Sequence, residues 1–203
     1  MRNPIGARGA SRPQDVGERG EAGHLSRVWR EEAESLHPRW RLACALTATI
    51  PPGTGLRLRP RVYRLAGVRV GAGTVIAGRV RLSGAGRPAE RLHIGPNCFI
   101  NDQVWFNLGG DVTIQEGVSI GMECLVLTET HELAGPTARA GSAVTESVVI
   151  ERGAWLGARV TLLPGVTVGS GSVVAAGSVV PASLPPNVLA AGVPARVIRS
   201  LPG

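Results

Sequence analysis

Residues 150–180 read IERGAWLGARVTLLPGVTVGSGSVVAAGSVV, and within them Ile150, Leu156, Leu162, Val168, Val174 and Val180 recur every six residues. A period of six is neither that of a helix nor plain strand alternation, so it marks a repeat architecture. The fifth position of each unit is small or β-branched (Ala154, Val160, Val166, Ser172, Ser178), and the second is often small (Gly157, Gly169, Ala175). Each unit therefore reads as a short strand and a corner. One apolar side chain fills the interior, a slimmer one fits beside the bend, and glycine at the corner is expected to supply a positive φ. Three such strands close a triangular coil, and coils stack as a solenoid in which each buries only its neighbours. The fold class is an all-β solenoid.

Outward from this stretch, the same count runs through Val70, Ile76 and Leu82, breaks at the polar segment 83–91, and resumes at Ile94, Ile100 and Phe106. Eight residues separate Phe106 from Ile114, so 107–111, with Gly109 and Gly110, must bulge from a corner. After Ile114, Ile120 and Val126 comes the largest interruption, 127–149, before Ile150 restarts the register. Insertions in solenoids project from one face and often build the binding site. The expected organisation is a disordered tail over 1–24, a helical or extended cap over 25–66, the solenoid over 67–184 with an active-site loop at 127–149, and a C-terminal segment over 185–203.

Within the cap, Leu25, Val28, Trp29, Ala33 and Leu36 follow helical spacing with Pro38 as a stop, and a second apolar segment runs from Trp40 to Ala48. Arg57, Arg59 and Arg61 alternate with Leu58, Pro60 and Val62, which predicts three guanidinium groups on the solvated face of an extended chain.

Composition bounds the function. The 203 residues contain seven aromatic side chains, few for a globular core and ample for thin coils filled by Val, Ile and Leu. There is no run of apolar residues long enough to span a bilayer. No secretory signal is visible, and three cysteines (Cys44, Cys98, Cys124) make no disulfide framework, so a cytoplasmic location is expected. All 22 basic residues are arginine; 17 of them, with 7 of the 15 acids, lie in residues 1–91, which carry +10 against −3 for the remainder. A basic half is compatible with nucleic acid, an anionic membrane surface or a phosphorylated substrate. Nucleic acid is not expected as a partner; weak peripheral membrane contact through the Arg-rich half is.

The large interruption opens with Thr128-Glu129-Thr130-His131-Glu132. Read from spacing alone, His131 is either a general base that removes a hydroxyl proton or a solvated loop histidine. Asn101 is either a ligand for a hydroxyl, since its amide both donates and accepts, or a corner residue tolerating αL. A zinc site needs three neighbouring ligands, and the solenoid offers only His93 and His131, with His24 and His37 outside it, so no metal is expected.

The stretch GAWLGARVTLLPGVTVGSGSVVAAGSVV (153–180) followed by PPNVLAAGVPARVIRSL (185–201) resembles the C-terminal half of hexapeptide-repeat O-acetyltransferases, the maltose, galactoside and capsular or colanic-acid polysaccharide enzymes. The resemblance implies a left-handed parallel β-helix, acetyl-CoA as acyl donor and a homotrimer with each active site between two chains. It implies His131 as the general base and Asn101 facing a sugar or other hydroxylated acceptor. Trp155 falls beside the active site, the backbone N–H of Ala158 at the thioester oxygen and Ala176 along the pantetheine arm. The family commonly shows Thr-Lys after the final rung where this chain has Pro181-Ala182, which leaves Arg196 or Arg199 for the CoA phosphates. Acidic residues common on the bulge are replaced by Leu108, Gly109 and Gly110, so acceptor contacts differ. Glu129 and Glu132 are both candidates to orient His131. The resemblance does not separate O-transfer from N-transfer to an amino sugar, and a non-catalytic scaffold or membrane-recruitment module is the remaining alternative.

Overall fold

The computed structural model describes residues 37–203, so the expected tail over 1–24 and the helical segment 25–36 lie outside the described residues. From Arg69 onward, strands of two to four residues visit three sheets in rotation: Arg69–Val70 in the first, Val75–Ile76 in the second, Val80–Ser83 in the third, then Leu92–Ile94 back in the first. Each strand pairs in parallel with the one a full coil away, and the rotation completes five coils.

Register explains why the six-residue count is so clean. In the first sheet Val70, Ile94, Ile114, Ile150 and Val168 are successive partners. In the second sheet Ile76, Ile100, Ile120, Leu156 and Val174 align, and in the third Leu82, Phe106, Val126, Leu162 and Val180. Nearly all are completely buried, because each must fill a slice of prism only one strand spacing thick. The slimmer positions Ala154, Val160, Val166, Ser172 and Ser178 are buried beside the bends.

The corner glycines serve a different purpose from the expected one. Positive φ occurs at Gly153, Gly165, Gly171 and Gly177, and at Asn97, Gln103, Glu123 and Arg159, but not at Gly157 or Gly169. A Cβ on Gly157 would lie 2.6 Å from the backbone nitrogen of Ala176 in the next coil, and one on Gly169 would lie 2.4 Å from that of Pro186. Glycine is needed there because neighbouring coils touch, not because the backbone is left-handed.

Three interruptions, 84–91, 108–111 and 127–147, all leave the prism at the corner between the third and first sheets, in consecutive coils. They are knitted together. Arg91 donates to the carbonyls of Leu108 and Gly109 (both 2.8 Å), and the buried Thr128 hydroxyl donates to Asn107 O (2.7 Å) and accepts from Gly110 N–H (2.9 Å). Leu108 is itself fully buried, so the bulge turns its apolar member inward.

The start of the prism is closed by α1 (Pro38–Ala48) and α2 (Leu58–Leu65). Pro38 occupies the first turn of α1, where its missing N–H costs nothing, so it begins a helix in the described residues. Trp40 of α1 stacks on Tyr63 of α2 at 5.1 Å, and the Tyr63 hydroxyl accepts from Val80 N–H in the first coil. Residues 58–65 are helical, so the extended basic face does not form. Arg57 and Arg61 stay exposed while Arg59 is wholly buried. Its guanidinium donates to the carbonyls of Ile50 (2.6 Å), Pro51 (3.1 Å) and Ala77 (3.1 Å), and to that of Thr54. One side chain thus ties the turn 50–54 to the first coil.

Arg59→Met is therefore expected to orphan several carbonyls at once and to cost about 3 kcal/mol at 1–3 kcal/mol per unsatisfied group. Chemical denaturation measures it, with Arg59→Lys recovering part of the loss. A change below about 1 kcal/mol would contradict this account of the cap.

At the far end, Leu184 makes one parallel bridge to Val168, Val188–Gly192 extends the second sheet, and Ala195–Ser200 folds back antiparallel against it. No helix of the described residues is long and apolar enough to cross a membrane.

Candidate active site

The segment after Val126 forms an antiparallel hairpin, Glu129–Leu133 against Ala140–Thr145, in which His131 pairs with Ala143. Hairpin pairing satisfies the backbone of a long excursion that would otherwise lie open to water. The His131 side chain is exposed, and its Nδ1 lies 3.0 Å from the carbonyl oxygen of Gly141. A carbonyl only accepts, so Nδ1 is the donor of this bond, and Nε2 is left without a partner among the described residues. Neither Glu129 nor Glu132 is within hydrogen-bond reach of the ring among the described residues. The strand partner's carbonyl performs the orienting task for which a carboxylate was expected.

The other expected site residues lie elsewhere. Asn101, Ala158 and Ala176 occupy one edge of the prism, the corner between the second and third sheets, in the second, fourth and fifth coils. The Asn101 side-chain oxygen accepts from the N–H of Asp102 (2.8 Å), a corner-stabilising bond that leaves its amide NH2 unengaged among the described residues. Neither Ala158 N–H nor Ala176 N–H has an acceptor among the described residues, although the flanking Gly157 and Arg159 N–H groups bond to Val174 O and Met122 O. Ala158 and Ala176 thus place small side chains and unpaired N–H groups along this edge, beside Met122 and the Arg159–Glu123 ion pair. Trp155 stands on the outer face of the second sheet between Ser119 and Val173, 55% exposed.

The last strand divides the two arginines. Arg196 pairs with Ala191 at the end of the same edge, whereas Arg199 pairs with Leu189 in the row of Val173 and Trp155. Both are exposed.

The candidate residues therefore fall at two corners, the His131 imidazole between the third and first sheets and the Ala158 and Ala176 N–H groups between the second and third. His93 lies on the outer face of the first sheet, where Arg69 approaches its Nδ1 (3.4 Å). Among the described residues no three His, Cys, Asp or Glu side chains gather as a metal site. Cys98 and Cys124 are buried, and burial raises both thiol pKa values, that of Cys124 to about 11. Neither is a ready nucleophile.

Residues 147–182 match the family model of the bacterial transferase hexapeptide (six repeats). A hexapeptide-repeat containing acetyltransferase of Vibrio cholerae, solved in complex with acetyl coenzyme A, superposes with a TM-score of 0.67 at 30% identity, covering 85% of this chain and 89% of that one. The chain belongs to the hexapeptide-repeat acetyltransferase family. Its solenoid is the left-handed parallel β-helix of that family, an exception to the right-handed crossover rule.

Within the hexapeptide-repeat family, a maltose O-acetyltransferase from Clostridium difficile 630 gives a TM-score of 0.71 at 25% identity, covering 87% of this chain and 88% of that one. The galactoside O-acetyltransferase of Escherichia coli K12 is 36% identical over 112 residues, 55% of each chain. The chain spans about half the length of the curated relatives it matches.

Proposed function

We propose that the protein is an acetyl-CoA-dependent O-acetyltransferase acting on a hydroxyl of a sugar or related small molecule. The observation that carries this reading is the exposed His131 ring, held through Nδ1–H by the Gly141 carbonyl with Nε2 unengaged among the described residues. The likeness to a structure titled as an acetyl coenzyme A complex supports the donor. In this reading acetyl-CoA is a substrate lying along the edge that carries Ala176 and Ala158, with Arg196 and Arg199 near its phosphates. The free N–H groups on that edge fit such a ligand, because an extended pantetheine arm needs backbone donors and small side chains beside it.

Nε2 of His131 removes the proton of the acceptor hydroxyl, held by the Asn101 amide, as its oxygen attacks the thioester carbonyl carbon. Negative charge collects on the carbonyl oxygen and is met by Ala158 N–H. The C–S bond then breaks, and the thiolate leaves as the free thiol with the proton held on His131. Atoms balance without an acyl-enzyme, consistent with buried cysteines of raised pKa.

The two half-sites lie on different corners, which supports a trimer of parallel chains in which the hairpin of one faces the donor edge of the next. The exposed Phe99 and Trp155 on the second sheet supply apolar surface for that contact.

The test is a thiol-release assay with acetyl-CoA and a panel of hydroxylated acceptors, alongside light scattering for the oligomeric state. Acceptor-dependent release of free CoA from a trimer is expected. Failure to bind CoA at millimolar concentration would refute the reading in favour of a scaffold.

A further inference from the structure

Residues 37–89 contain ten arginines and not one acidic residue, a run unlike the rest of the chain. Arg59 is consumed in the cap, and Arg64 bonds to the carbonyls of Val70 and Gly71. Arg79 and Arg81 are different. Both are exposed, neither has an ion-pair partner among the described residues, and both line a cleft of about 580 Å³ between α1 and the third sheet. That volume falls within the range of small-molecule sites.

The walls are rigid. On one side Trp40, Thr47 and Tyr63 are buried, the first and last stacked and Tyr63 Oη 3.3 Å from Thr47 Oγ1. On the other, the Arg81 guanidinium rests over the Trp105 ring at 4.3 Å, which fixes its plane, while Trp105 Nε1–H donates to Ser83 Oγ. Gln103 completes the lining, two residues from Asn101 on the proposed acceptor edge. The neighbouring carboxylate of Asp102 is turned to the corner, accepting Arg79 main-chain N–H (2.7 Å) and approaching the Gln103 amide (3.5 Å).

We infer that this cleft is the outer part of the acceptor site and binds an anionic acceptor, a sugar bearing a phosphate ester or a carboxylate, through Arg79 and Arg81. The inference rests on the acetyltransferase reading for the word acceptor, but the cleft's charge stands without it. Two guanidinium groups in a concave wall, without an ion-pair partner among the described residues and with the neighbouring Asp102 carboxylate engaged at the corner, favour a ligand that brings its own negative charge. A neutral sugar would leave both cations without an ionic partner among the described residues.

Isothermal titration of the full chain, without acetyl-CoA, against glucose 1-phosphate, glucuronate and glucose tests it. At least one of the two anionic probes is expected to bind tenfold or more tightly than glucose. The tighter of the two identifies phosphate or carboxylate as the recognised group. In the Arg79→Gln/Arg81→Gln double variant that preference is expected to vanish, and in the wild type it weakens with added salt. Equal affinity for glucose, an unchanged preference in the double variant, or binding only to anionic vesicles would each overturn the inference. Binding of the anionic probe without any CoA release would instead refute the transferase reading and leave the cleft as assigned.

Discussion

Replacing His131 with alanine is expected to lower acceptor-dependent CoA release by about 10²- to 10⁴-fold, the usual contribution of a positioned general base. The ring sits on a hairpin outside the stacked coils and bonds only to Gly141 O, so its loss should leave the melting transition and the affinity for CoA nearly unchanged. That combination separates a chemical role from a structural one. Wild-type turnover in His131→Ala would mean that another group takes the proton, and the proposed mechanism would fall.

Ala158→Pro should be nearly as damaging, for a reason that the repeat itself makes testable. Proline already occupies the same place of its turn at Pro96, Pro164 and Pro186, each two residues after an inward-facing residue of the first or third sheet, as Ala158 follows Leu156. A corner of this kind accepts proline's fixed φ, and Ala158 N–H has no partner to lose among the described residues. The substitution thus deletes one outward donor while sparing the coil. If that donor meets the thioester oxygen as charge builds, kcat should drop by about 10²- to 10³-fold with little change in stability. The half-site geometry adds a stronger form of the test. Refolding His131→Ala and Ala158→Pro chains together should restore activity that neither has alone, because some mixed assemblies pair an intact hairpin with an intact edge. Absence of any recovery would place both residues in a site within one chain.

The prism was legible because its interior is written one residue at a time. Every apolar marker from Val70 to Val180 turned out to be an inward ladder position, since a slice so thin offers each strand one place to bury a side chain. Positions governed by contacts between distant segments were not legible. Arg59 alternates with apolar neighbours exactly as its exposed companions do, and only the carbonyls of Ile50, Pro51, Thr54 and Ala77 converging on it reveal a buried cation. The role of Gly157 was misread for a similar cause, because the neighbour that forbids its Cβ is 19 residues away at Ala176. For His131, a flanking carboxylate was the natural guess, yet the backbone that holds the ring comes from the other arm of the hairpin. The separation of His131 from Asn101, Ala158 and Ala176 onto different corners follows from the three-sheet rotation and could be counted only once the strands had been assigned to sheets.

A stack of parallel strands invites another molecule to continue it at either terminus. Here the turn 50–54, Leu56 and the Tyr63 hydroxyl engage the exposed groups of the opening coil, and Ala195–Ser200 runs the wrong way for a seventh parallel neighbour. Closure in this manner opposes head-to-tail stacking of one chain's coils onto another's.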